Sequence, residues 1–120
     1  DTITGINVNM LNSMKKGAIK LSVFYPSGEG NHFDMEYYSN NHVSLLKELL
    51  GKAIIGATIE KGVGGENPGD GPLFEAMGNL YFESMDSFQN SFAPNAQTII
   101  ADVPNYTNIE PVVQISEVIV

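Results

Sequence analysis

The 120-residue chain has no arginine and no cysteine, and its six lysines stand against fourteen acidic residues, for a formal net charge of −8. Without arginine it lacks the planar two-pronged donor that proteins favour for carboxylate and phosphate, so a polyanionic substrate would miss its usual clamp. The acidic balance repels phosphate backbones and anionic lipid surfaces, which argues against nucleic-acid and membrane partners and for a neutral or weakly charged ligand. Without cysteine there is no disulfide framework, thiol nucleophile or thiolate metal site. No apolar run approaches the ~20 residues of a membrane span. The chain begins at Asp1 rather than Met, as after removal of a leader or a tag. The expectation is a cytoplasmic protein, with export after leader removal as the other reading.

A chain of this length supports one domain, able to bury roughly two-thirds of its unfolded surface. Residues 1–17 are polar, with scattered apolar positions, and read as an N-terminal extension; the domain proper spans 18–120. Ile19, Leu21, Val23 and Tyr25 alternate with Lys20, Ser22 and Phe24, and Pro26 ends this first strand. Asp34 is placed as an N-cap with Glu36 in the first turn. The helix it opens has Met35, Tyr38, His42, Leu45 and Leu49 as its predicted inward stripe, and Gly51 as its stop. Residues 53–61 and 73–82 read as strands two and three, separated by a loop rich in glycine and proline. Ser84 and Asp86 open a second helix with the stripe Met85, Phe88, Phe92, Ala96, Ile99 and Val103. Pro94 falls inside it and predicts two segments meeting near Ala93. Residues 104–108 form a turn and 112–118 the last strand.

The order β-α-β-β-α-β predicts an α+β, ferredoxin-like domain: a four-stranded antiparallel sheet with two helices on one face. Two helices cover one face only, while the strands carry apolar residues on both. A second copy is therefore expected on the other face, giving a homodimer.

Three stretches carry a family resemblance: Lys20 to Pro26, Phe33-Asp34-Met35-Glu36-Tyr37-Tyr38 through His42, and Pro104-Asn105-Tyr106-Thr107-Asn108-Ile109-Glu110-Pro111 through Glu117. Over residues 18–118 the chain resembles the EthD family, named for ethyl tert-butyl ether degradation. The resemblance implies a dimeric α/β barrel, joined sheet to sheet, with a small-molecule pocket between sheet and helices. It also implies roles of the kind linked to that family: accessory functions in ether breakdown, or decarboxylation and dehydration of aromatic polyketides. The family follows its histidine with x-Pro-Leu; here the residues are Val43-Ser44-Leu45, a departure that bears on local helix geometry and leaves the histidine in place.

His42 is the leading catalytic candidate, since an imidazole on the inward helix face can exchange protons near neutral pH; the bland alternative is a hydrogen-bonded core histidine. Tyr38, one turn earlier, can orient that ring or bind a substrate oxygen. Tyr106, in the tail motif, can close one end of the pocket; the bland alternative is a turn tyrosine packing on the last strand. Asn79 and Tyr81 on strand three and Gln114 on strand four are candidate ligand-binding residues if their face meets a cavity, and interface hydrogen-bonding groups if it meets a second copy. No metal site is expected: His32 with Asp34 and Glu36 lacks a four-ligand spacing. No cofactor is expected either. Gly28-Glu29-Gly30 lacks the third glycine of a dinucleotide loop, and Gly62-Val63-Gly64-Gly65 leads into a strand instead of a helix. Two functional classes follow. One is a cofactor-independent enzyme moving protons on a hydrophobic or aromatic substrate, of decarboxylase, dehydratase or isomerase type. The other is a non-catalytic carrier or accessory protein serving an oxygenase or an ether-degradation pathway.

Overall fold

A computed structural model describes residues 15–120; most of the expected N-terminal extension lies outside the described residues. The strands are β1 (Ile19–Pro26), β2 (Ile54–Lys61), β3 (Phe74–Phe82) and β4 (Val112–Glu117), and they form one sheet in the order β2-β3-β1-β4. Every adjacent pair is antiparallel, with β1 set by Leu21 opposite Leu80 on one side and Ile115 on the other. Gly17 N–H donates to Val118 O and Val118 N–H to Ala18 O, each at 2.8 Å, which ties the start of the domain to the end of β4.

The first helix, α1 (residues 35–50), is capped as its sequence predicts: the Asp34 carboxylate accepts the Tyr37 N–H at 3.0 Å. It is not a uniform α-helix. Met35–Tyr37 is α, Tyr38–His42 is a π turn, and Val43–Leu50 is α again. A π turn closes i to i+5 and takes an extra residue to come round. Tyr38 and His42 therefore stack, ring centroids 5.5 Å apart, and the inward stripe resumes at Leu46 and Leu50. The stripe expected at Leu45 and Leu49 is thus corrected by one residue, because the 3.6 period assumed no wide turn: Leu45 flanks an outer groove and Leu49 only partly packs on the core.

The second helix, α2 (residues 85–101), has the break expected at Pro94: Met85–Phe92 and Ala96–Ala101 are α, joined by the 3-10 turn Ala93–Asn95. Ser84 caps it by accepting the Ser87 N–H at 3.0 Å. Phe88 and Ile99 of its stripe are buried, whereas Met85, in the first turn, is exposed.

Both helices pack on the face that carries Ile19, Leu21, Val23 and Tyr25. One core cluster joins Ile19, Leu21, Leu80 and Phe82 of the sheet to Leu46, Leu50, Phe88 and Ile99 of the helices. A second, aromatic cluster joins Tyr25, Tyr38 and Tyr106 with Ala76 and Ile109, and Val23 touches both. Burying each large apolar side chain contributes about 1.5–3 kcal/mol. Among the described residues no helix is long and apolar enough to cross a membrane.

Candidate active site

The tail after α2 is clamped to the loop before α1. Tyr106 O accepts the Asp34 N–H at 2.7 Å, and the Thr107 hydroxyl donates to His32 O at 2.6 Å. Asn108 Oδ1 accepts the His32 N–H while its Nδ2 donates to Gly30 O, at 3.0 and 2.9 Å. These bonds explain why the Asn-Tyr-Thr-Asn tail and the Tyr-Tyr-x-x-x-His helix belong together: the first fixes where the second begins, and carries Tyr106 to the His42 ring, 4.8 Å centroid to centroid.

His42 is 4 % exposed and held on one side only. Its Nδ1 stands 2.8 Å from Asp102 Oδ2. A carboxylate only accepts hydrogen bonds, so Nδ1 carries the proton and Nε2 is the free acceptor. Asp102 Oδ1 in turn accepts the Tyr37 hydroxyl at 2.8 Å and the Asn105 amide at 2.9 Å. Burial pushes the Asp102 carboxyl up, but the hydrogen bonds from Asn105, His42 and Tyr37, with the His42 charge, outweigh it and hold the group below the usual carboxylate value. The Tyr37 phenol is held above its ordinary value, chiefly because its bond to Asp102 opposes ionisation.

The ring borders a cavity of ≈ 230 Å³ between the sheet and the two helices. Its floor is Leu21, Val23, Tyr25, Gly78 and Leu80; Tyr38, His42 and Leu46 line it from α1, and Phe92, Ile99 and Val103 from α2 and the turn beyond. Ile100 and Val113 also line it and are 63 % and 56 % exposed, so the cavity reaches the surface beside them. Apart from His42 and three phenol oxygens the lining is apolar. Tyr25 and Tyr106 share a hydrogen bond at 2.7 Å, and Tyr38 stands against Tyr25, ring centroids 5.6 Å apart. Burial pushes all three phenols well above their ordinary value, so they remain neutral hydroxyls.

Gly78 leaves the space that the Tyr38 hydroxyl fills, since a Cβ built on it would collide with that oxygen. Gly78→Ala is expected to lower stability by about 1–3 kcal/mol by overpacking. Adding Tyr38→Phe should restore most of the loss in urea unfolding, because the colliding atom is then gone.

The structure thus brings together His42, Tyr38 and Tyr106. It sets Asn79, Tyr81 and Gln114 apart from them, on the sheet face turned away from the helices, where none of the three lines the cavity. There the Ser22 hydroxyl donates to Asn79 Oδ1 at 2.9 Å, and Asn79 Nδ2 donates to Thr58 and Glu60. Lys20 lies over the Tyr81 ring and Gln114 donates to Ser116. Sequence reasoning did not single out Asp102, Tyr37 or Asn105, and took Tyr25 only as a strand residue. One signal for Asp102 was present: an acidic residue ends a helix there, where the dipole disfavours it by about 0.3–1 kcal/mol.

Comparison with known proteins places this geometry. The EthD domain family model matches residues 28–110. A crystal structure of an EthD-like protein from Ralstonia eutropha JMP134 is similar at 40 % identity and a TM-score of 0.81, over 88 % of this chain and 96 % of that one. An ethyl tert-butyl ether degradation (EthD) family protein from Bacillus halodurans C-125 shares the fold at 20 % identity and a TM-score of 0.65, over 83 % of this chain and 97 % of that one. No curated protein matches the chain.

Proposed function

The chain belongs to the EthD domain family, and from that premise we propose that it is a small-molecule enzyme that moves a proton on a hydrophobic or aromatic substrate. One observation carries this reading: an imidazole anchored on Asp102 through Nδ1, its other nitrogen unbonded to the described residues, lines an apolar cavity large enough for a small ring. Proton transfer by a positioned histidine is chemistry these side chains can perform themselves. Nε2 takes or returns the proton, Asp102 fixes the tautomer and stabilises the imidazolium, and a tyrosine hydroxyl holds the substrate oxygen. Isomerisation, dehydration and decarboxylation all include such a step. The test is a screen of aromatic, ketone and ether compounds, scoring both binding and chemical change in the recovered ligand. Conversion that depends on His42 supports the reading. Binding without conversion overturns it and leaves a carrier.

We also propose a homodimer formed through the sheet face opposite the helices. Phe24, Phe74, Met77 and Tyr81 are only half-buried there, with the Phe24 and Phe74 rings 5.3 Å apart, beside the Ser22–Asn79–Glu60 network. An apolar patch beside satisfied polar groups suits a self-complementary interface. Sedimentation at micromolar concentration is expected to give a dimer, and Phe24→Glu a folded monomer, since a carboxylate buried there would lack a partner. A monomeric parent chain would refute this assembly.

A further inference from the structure

The donors, acceptors and charges around the cavity restrict what it can take. Three hydroxyls, of Tyr25, Tyr38 and Tyr106, carry three protons, and the bond formed among them, Tyr25–Tyr106 at 2.7 Å, uses one. At least one O–H is therefore left over, with no further hydrogen bond from these hydroxyls among the described residues. Tyr38 and Tyr106 both flank the imidazole, with ring centroids 5.5 and 4.8 Å from it. The site thus offers one spare O–H donor beside one spare nitrogen acceptor, in otherwise apolar walls.

It offers no cation for an anion. The chain has no arginine, and none of its six lysines lines the cavity. The positive charge His42 can acquire is already faced by Asp102, whose carboxylate would also repel an incoming one across the ring. A carboxylate entering here would be buried without a counter-charge of its own, which is costly. Size sets a second limit. An apolar cavity of about 150 Å³ takes up benzene, so ≈ 230 Å³ suits a single substituted ring.

We propose that this cavity takes a neutral monocyclic compound with one ketone or phenolic oxygen, seated on the leftover tyrosine O–H with an acidic hydrogen at His42 Nε2, and that it rejects carboxylates. The inference rests on the proton-transfer reading and narrows it, favouring isomerisation or dehydration through an enol over decarboxylation. For a ketone the step balances without a co-reactant. The C–H bond beside the carbonyl breaks, an N–H bond forms at Nε2, and the electron pair moves onto the oxygen, which the tyrosine holds as an enolate. Return of a proton exchanged with solvent restores the ketone.

Calorimetric titration of the full chain with three probes of one shape tests this: acetophenone, benzoate, and α-methylstyrene, which lacks the oxygen. Acetophenone is expected to bind at least about tenfold more tightly than benzoate and measurably more tightly than α-methylstyrene. In the Tyr25→Phe/Tyr38→Phe/Tyr106→Phe variant, which removes all three hydroxyls, the advantage over α-methylstyrene should shrink, with α-methylstyrene binding itself showing that the variant is folded. Benzoate binding as tightly as acetophenone, failure of both neutral probes to bind at millimolar concentration, or an undiminished advantage in the triple variant each overturns the proposal. Deuterium uptake into the methyl group of acetophenone, read by NMR in the same samples, reports the underlying reading separately. Exchange that persists despite a failed binding preference sinks the substrate class alone. A correct preference without His42-dependent exchange sinks the catalysis and leaves the ligand class standing.

Discussion

Replacing His42 by alanine is expected to lower turnover by at least about 10²-fold, the usual worth of a positioned general acid or base, while fold and assembly persist. The expectation that structure survives is itself physical. Removing the ring takes one hydrogen bond from Asp102, but the carboxylate keeps its bonds from Tyr37 and Asn105, at 2.8 and 2.9 Å, so no unpartnered buried charge remains. The vacated volume merges with the existing cavity, and the stability loss should stay within about 1–3 kcal/mol. Ligand affinity should fall far less than turnover, because the walls that bury an apolar substrate come from the sheet and α2 as much as from α1. Equal turnover in parent and variant, measured on any compound the parent converts, would remove the enzyme reading.

Asp102→Asn is the second large effect, expected to cut turnover by about 10²-fold with little change in KM, because Asp102 touches His42 and not the cavity. It is a positioning residue. The carboxylate can only accept, so it forces the proton onto Nδ1 and leaves Nε2 as the base. An amide can present its NH2 group instead, placing the proton on Nε2 and blocking the base; it also offers no negative charge to the imidazolium that forms. If Asp102 served packing alone, the isosteric amide would leave turnover unchanged.

The same substitution carries a pH signature. The folded-state value of Asp102 lies below the ordinary one, the bonds from Asn105, His42 and Tyr37 having overcome the effect of burial. A depressed carboxyl contributes stability that is complete above its unfolded value, about 3.9, and is lost as pH falls through the lower folded value. The stability gap between parent and Asp102→Asn, from urea midpoints followed by circular dichroism, should therefore be present at about pH 5. It should close progressively as pH falls below about 4. A gap that stays constant into strong acid would show that the carboxylate is not the stabilised species.

The strands, the two helices, the caps at Asp34 and Ser84 and the break at Pro94 were legible in the sequence, since each follows from neighbours a few residues apart: alternation at period two, a side chain reaching the N–H three residues on, a proline that cannot donate. Tyr38, His42 and Tyr106 were legible as candidates partly by helical period and partly by the family's tail motif, and they line one cavity. The one-residue slip of the inward stripe was not. It comes from the π turn at Tyr38–His42, which no local pattern announced. Its stacked rings are packed against Tyr25 and Tyr106, from β1 and the tail.

Asp102 marks the same boundary more sharply. It lies 60 residues from the histidine it holds, and nothing in its own neighbourhood beyond an unfavourable position at a helix end suggests a partner. Asn79, Tyr81 and Gln114 show the converse: alternation put Asn79 and Tyr81 on one side of strand three and set Gln114 off from Val113, but could not say which side would receive the helices. The sequence by itself determined the elements, their order and the alternation along each strand, because those depend on short-range sterics and periodicity. Only the tertiary structure decided which polar groups meet across the core, because hydrogen-bond partners distant in the chain are chosen by packing and leave no period to read.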